Sequence, residues 1–202
     1  MNGVSTAYVE TGRTLQKQRT RDLLLRTAGE LIKSGDTPRV EDVAEAAGVS
    51  RTTAYRYFPT QADLLGAAFP ETATDSMLPA GASNDPQQRV AAVAAEIVDM
   101  VGRTEAQQRA MLRLSLGDVP HELPLRQGRA IGWFSEALEP MRAELGADAV
   151  HRLALALRSV CGIEARVWLR DVAKLSSADI RALQLWMSDA LCTHAQSAPP
   201  PR

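Results

Sequence analysis

The chain has 202 residues, 45% of them apolar and 23% charged, with a net charge of −1; it is long enough for one large domain or two small ones, and disorder along most of its length is excluded. No stretch approaches the roughly 18 uninterrupted apolar residues of a membrane span. Residues 1–13 lack the apolar block of a secretory signal, and Cys161 and Cys192 have neither metal nor redox spacing. A reducing cytoplasm is the expected compartment, with no cofactor and no metal.

The near-neutral total hides an asymmetry. Between Arg13 and Lys33, Arg13, Lys17, Arg19, Arg21, Arg26 and Lys33 face only Asp22 and Glu30, so the N-terminal end is the basic one. That segment predicts the first helix, about Lys17 to Lys33, with Leu24, Ala28, Leu31 and Ile32 on one face and a stop at Ser34-Gly35-Asp36. Val40, Val43, Ala44 and Ala47 then form the buried stripe of a short second helix. Gly48 suits its left-handed end, and Ser50 suits the N-cap of a third, Arg51 to Phe58, closed by Pro59. Thr60, with Asp63 three residues on, is in capping-box register for a fourth helix through about Phe69.

Pro70 to Pro86 is rich in Thr, Ser, Ala, Gly, Pro and Asp and is expected to be a linker or mobile loop. Longer amphipathic helices are expected beyond it, at about Gln87–Gly102, Glu105–Leu116, Leu125–Leu145, Asp148–Leu175 and Ser177–His194. The tail from Ser197, with three consecutive prolines, is expected to be disordered. With no alternating strand pattern the class is all-α. An N-terminal three-helix helix-turn-helix domain (14–69) precedes a larger helical domain (87–196), joined by the linker over 70–86 and followed by the tail at 197–202.

Two short helices joined by a Gly-containing turn have the form of a helix-turn-helix. Ala44 is small where the second helix crosses, Gly48 makes the turn, and Val49 and Ala54 fill the wedge. The expected outward set is Arg51, Thr52, Thr53, Tyr55, Arg56 and Tyr57. Its guanidiniums, short hydroxyls and phenols suit base edges and phosphates of a major groove.

The run from Val40 to Pro59, VEDVAEAAGVSRTTAYRYFP, resembles the DNA-binding segment of the tetracycline-repressor (TetR-like) family of bacterial regulators. With the basic helix before it and Leu64-Leu65 after it, the resemblance covers about Lys17 to Phe69. It implies a homodimer that sets two recognition helices in successive major grooves of a two-fold-symmetric operator, and a C-terminal domain that dimerises and holds an inducer. It also implies that binding of the inducer releases the DNA. By position, the six outward residues contact DNA, Phe58 packs inward, and the first helix, Lys17 included, adds phosphate contacts. Two positions depart from the family pattern: Gln61 stands where a lysine is frequent, and Arg39 where a threonine cap is frequent. Gln61 is expected to offer phosphate a neutral hydrogen bond, and Arg39 to face phosphate without capping.

In the C-terminal half, Leu153, Leu157, Val160, Cys161, Glu164 and Trp168 fall together on the expected 148–175 helix, and Ala156, Ile163 and Val167 widen the arc. The last helix carries Ile180, Leu183, Met187, Ala190 and Leu191 as one stripe, extended by Trp186. Such wide apolar faces fit an isologous dimer interface, with Ala156, Ile163, Val167, Leu183, Trp186, Met187 and Ala190 as candidates; a helix central to a monomeric core is the alternative. For a small apolar or amphipathic inducer the candidates are Met100, Met111, Leu114, Trp133, Phe134, Leu138, Met141, Cys161, Glu164 and Trp168, each of which also fits plain core. Glu164 is the polar exception, suited to a ligand donor, to a cation, or to an arginine such as Arg129 or Arg158.

No enzyme signature is found. His121, His151 and His194 lie far apart, and Gly128 and Gly132 lack a preceding strand. The expected function is a ligand-responsive, sequence-specific transcription repressor. The alternative is a helix-turn-helix regulator controlled by a protein partner, or an activator, with no inducer.

Overall fold

Nothing between Val4 and Lys33 interrupts a helix: there is no proline before Pro38, and the buried positions Leu24, Ala28 and Ile32 recur every fourth residue. In the computed structural model, which describes residues 4–68, 74–116 and 128–201 with side chains from Thr14 onward, that whole stretch is one helix, α1 (Val4–Lys33). It begins 13 residues earlier than the apolar stripe alone predicts, with no proline in the added stretch to stop it. The break comes at Gly35, φ +99°.

Helices α2 (Val40–Ala46), α3 (Arg51–Tyr57) and α4 (Gln61–Ala67) follow. Local chemistry sets each boundary. Asp42 accepts the Arg39 N–H at 2.7 Å, so one arm of a capping box opens α2 although the Arg39 side chain caps nothing. Gly48, at φ +65°, makes the turn. Ser50 Oγ accepts from Thr53 N at 3.2 Å, and Thr60 and Asp63 exchange both capping-box bonds, at 3.1 and 3.2 Å. Leu24, Ala28, Val40, Val43, Ala44, Ala54, Phe58 and Leu64 make one apolar cluster. Burying a leucine such as Leu24 or Leu64 contributes on the order of 2 kcal/mol.

The chain divides into two units, Met1–Pro70 and Glu71–Arg202. The second contains α5 (Pro86–Arg103), α6 (Glu105–Ser115), α7 (Arg129–Ala137), a 3-10 turn (Glu139–Met141), α8 (Arg142–Leu145), α9 (Ala147–Cys161), α10 (Ile163–Asp171) and α11 (Ser177–Ser197). Helix α5 packs against α7 and α11, and α9 against the same two. Between them lie Val93, Ile97, Phe134, Leu138, Leu153, Leu157 and Cys161. No strand occurs among the described residues.

Two expected long helices are broken. The one expected over Leu125–Leu145 stops at Leu138 because Pro140 lacks an N–H and its ring obstructs the preceding turn; residues 125–127 lie outside the described region. The one expected over Asp148–Leu175 breaks at Gly162, which is extended (φ −78°, ψ 174°), and ends at Asp171. The expected linker over 70–86 is described from Thr74, and from there it is held to the second unit. Trp133 Nε1 donates to the Thr74 carbonyl at 3.2 Å, Ser76 Oγ donates to Glu136 at 2.8 Å, and Met77 and Leu78 rest on the core. At the far end α11 runs to Ser197, and Arg152 Nε donates to the Pro200 carbonyl at 3.3 Å.

The inward face of α11 differs from expectation. Ile180, Gln184, Ser188, Cys192 and Ala195 are buried, whereas Leu183, Met187 and Ala190 are half-buried and Trp186 is exposed. Hydrogen bonding decides this orientation. Gln184 Nε2 donates to the Val160 carbonyl at 2.8 Å, Ser188 Oγ donates to the Gln184 carbonyl at 2.8 Å, and Ser188 Oγ lies 3.1 Å from Cys161 Sγ.

A charged cluster ties α10 to α6. Arg166, 4% exposed, donates to Glu105 Oε2 at 2.7 Å; Arg109 donates to Glu105 Oε1 at 2.9 Å and grips both oxygens of Asp171 at 2.7 and 2.8 Å. Burial pushes the Glu105 carboxyl up, but the hydrogen bonds from Arg166 and Arg109 outweigh it and hold the group below the usual glutamate value.

Candidate nucleic-acid interface and C-terminal cavity

Helix α3 buries Ala54 and turns Arg51, Thr52, Tyr55 and Arg56 outward, positions that share a face at helical spacing. The remaining two of the expected set are placed differently. Tyr57 is half-buried against the apolar cluster, and Thr53 is half-buried with its hydroxyl 2.8 Å from Ser50 Oγ. Phe58 lies inside, 3% exposed, with the Arg21 guanidinium 5.6 Å from its ring centre, a cation–π contact that draws a basic side chain of α1 towards the turn. Lys17 is exposed on α1, and Arg39 is 74% exposed at the start of α2.

Gln61 requires a correction. Its Nε2 donates to the carbonyls of Thr37 and Pro38, both at 2.9 Å, so the amide fastens α4 to the strap before α2 and has no N–H left for phosphate. A glutamine suits this site because its two amide hydrogens satisfy two partly buried carbonyls without bringing in a charge.

Sequence reasoning overlooked Glu41. The Tyr55 hydroxyl donates to Glu41 Oε2 at 2.6 Å, and Glu41 Oε1 lies 4.0 Å from Arg39. The phenol's hydrogen bond, with smaller help from Arg39 and Arg51, lowers the Glu41 pKa; the same bond raises that of Tyr55. The acidic residue was visible in the short second helix, but its partner is 14 positions away.

In the second unit a cavity of about 340 Å³ lies among α5, α6, the start of α7 and the α9–α10 break. Met100, Trp133 and Glu164 of the expected pocket set line it, together with Ile97, Gln108, Gly128, Arg129, Ala130, Ile131, Arg158 and Gly162. Phe134, Leu138, Met141 and Cys161 do not line it; they are buried in the apolar core packed among α5, α7, α9 and α11. Met111 is buried and Leu114 half-buried, both away from its lining, and Trp168 points outward, 57% exposed. Glu164 pairs with Arg158, at 2.5 and 3.1 Å.

Trp168, Val172 and Trp186, exposed by 57%, 64% and 66%, are large apolar side chains on α10, just beyond it and on α11. Of the expected interface residues, Ala156, Val167, Leu183, Met187 and Ala190 are half-buried, whereas Ile163 is buried within its own unit. No helix among the described residues is long and apolar enough to cross a membrane, and no metal-binding cluster occurs among them.

Residues 24–68 match the family described as bacterial regulatory proteins, tetR family. This segment is TetR-like. The HTH-type transcriptional repressor LfrR of Mycolicibacterium smegmatis is 41% identical over 64 residues, which is 32% of this chain and 32% of that protein. The match therefore spans about a third of the curated relative. The crystal structure of a TetR transcriptional regulator from Rhodococcus sp. is similar over 86% of this chain and 96% of that one, with a TM-score of 0.52 and 22% identity. The TetR-like fold thus extends through the helical C-terminal unit, while the recognisable sequence stays in α1 to α4.

Proposed function

We propose that this TetR-like protein is a homodimeric, sequence-specific repressor that binds a two-fold-symmetric operator and is released by a small molecule held in the C-terminal cavity. The observation that carries the reading is the exposed face of α3, Arg51, Thr52, Tyr55 and Arg56, presented by a capped helix-turn-helix within the tetR-family segment. Two guanidiniums, a hydroxyl and a phenol on adjacent turns match guanine edges, thymine methyls and phosphates. Lys17, exposed on α1, and Arg39, exposed at the start of α2, supply further positive charge, and operation in the cytoplasm follows from a DNA partner.

Dimerisation accounts for Trp168, Val172 and Trp186, which a monomer leaves in water. A second copy covers the same residues isologously, and pairing converts two modest half-site affinities into one strong one through effective concentration. Recognition helices of such a dimer read major grooves about 34 Å apart. A ligand shifts that spacing only by favouring the mismatched state.

The test is fluorescence anisotropy with duplexes from the gene's own upstream region and scrambled duplex, across a salt series. Arg56→Ala is expected to weaken specific binding and relax base preference. Lys17→Ala is expected to weaken binding to all duplexes alike and to flatten the salt dependence. Equal losses on specific and scrambled DNA for both variants contradict the division of roles, and salt-sensitive binding without sequence preference contradicts the operator.

A further inference from the structure

We infer that Glu41 is a specificity-determining residue of the DNA-binding face: it takes the hydroxyl hydrogen of Tyr55 and sets a carboxylate beside it, so that this part of the face gains little from phosphate alone. This rests on reading α3 as the DNA-recognition helix.

A phenol has one hydrogen to donate. In Tyr55, 43% exposed on the outward face of α3, that hydrogen goes to Glu41 Oε2 at 2.6 Å, the length of a charge-assisted bond. To donate to a phosphate, the hydroxyl has to leave one oxyanion for another. The exchange gains little, and the carboxylate left behind then meets the phosphate as a like charge. Glu41 keeps that charge at neutral pH, since the bond from Tyr55 holds its carboxyl below the usual glutamate value. The cation nearest by geometry, Arg39, is 74% exposed and 4.0 Å from Glu41 Oε1, a solvated neighbour that offsets little of it.

Phosphate contacts give affinity without regard to sequence, whereas base edges give discrimination. A residue that weakens the first kind of contact raises the ratio of specific to non-specific binding without touching a base. The same bond also joins α2 to α3, and the two roles differ in one respect. A structural link is lost equally from either end, whereas the action against phosphate is lost only when Glu41 itself is changed.

The experiment measures anisotropy of the full chain at fixed salt, with a scrambled duplex and with duplexes from the gene's own upstream region. Glu41→Ala frees the phenol and removes the like charge, so binding to the scrambled duplex is expected to tighten by roughly fivefold or more. Tyr55→Phe breaks the same bond but keeps the carboxylate, and is expected to leave scrambled binding within about twofold of the parent. Adding Tyr55→Phe to Glu41→Ala is expected to return part of the gain. Scrambled binding that Glu41→Ala leaves unchanged or weakens overturns the inference, as does an equal gain from Tyr55→Phe. If Glu41→Ala does not unfold cooperatively in urea, Glu41→Gln decides. It removes the charge but leaves an acceptor for the phenol, so a smaller gain is expected and no gain overturns the inference. The upstream duplexes separate the two readings. A parent that prefers one of them, while Glu41→Ala brings no gain on scrambled DNA, keeps the repressor and loses the role of Glu41. A parent without preference, whose scrambled binding does tighten, keeps the action of Glu41 against phosphate and loses the operator. A parent that binds no duplex loses both.

Discussion

Tyr55 reaches back from the recognition helix and donates a 2.6 Å hydrogen bond to Glu41 on the helix before it. A phenol in the outward set is therefore already engaged in the DNA-free protein, and it fixes the angle between α2 and α3 from the solvent side while Ala44 and Ala54 fix it from the core. The pKa directions set two pH limits. Glu41 is held below its usual 4.5, so its contribution to stability is present above that value and is lost as pH falls through the lowered one; Tyr55 is raised above 10.0, so the phenol's contribution is present below that value and is lost as pH rises through the raised one. Tyr55→Phe is expected to flatten both limbs in denaturant unfolding across pH. An unchanged pH profile removes the bond from the folding account.

Gln61→Ala is expected to destabilise the N-terminal unit by about 1–2 kcal/mol, the loss of two partly buried hydrogen bonds, and to leave the salt slope of DNA binding unaltered. Urea unfolding and the anisotropy salt series check the two halves. A reduced slope with unchanged stability returns Gln61 to the phosphate.

Glu105→Gln leaves the nearly buried Arg166 guanidinium without its carboxylate. The expected loss is about 2–3 kcal/mol, below the roughly 3–5 kcal/mol of a fully dry pair because Glu105 is 18% exposed. In the parent protein the lowered Glu105 pKa makes this contribution full above the usual glutamate value and lost as pH falls through the lowered one. Thermal unfolding of parent and variant at neutral and acidic pH should converge on the acid side, and a constant gap refutes the assignment.

Trp186→Glu places a charge at the proposed interface without touching the core, since Trp186 is 66% exposed. Sedimentation velocity is expected to show monomer where the parent is dimer, with helical content by circular dichroism unchanged. A dimer that survives both Trp186→Glu and Trp168→Glu moves the interface elsewhere.

Local chemistry was legible in the sequence. Ser50, Thr60 with Asp63, and Gly48 act over four residues or fewer, and the structure uses each as expected. Pro140 was equally local, but the apolar periodicity around it masked its effect. Gly162 was harder to see: Leu153 to Trp168 keeps helical spacing across the break, so nothing in the pattern marks where the chain turns. Least legible were the pairings that depend on the fold, Tyr55 with Glu41, Gln61 with Thr37 and Pro38, and Gln184 with Val160, whose partners stand 14 to 24 positions apart. Gln184 and Ser188 lie outside the apolar stripe expected for the last helix, and both are buried.

That buried polar edge of α11 fixes the helix's angular setting. Apolar side chains alone accept a helix rolled by some tens of degrees at small cost, since one leucine fills space much as its neighbour does. Gln184 on the Val160 carbonyl and Ser188 beside Cys161 reject every roll but one, as a keyway does a shaft. The side opposite is thereby aimed as well, and Trp186 points outward because two hydrogen bonds on the far side of the same helix leave it no other bearing.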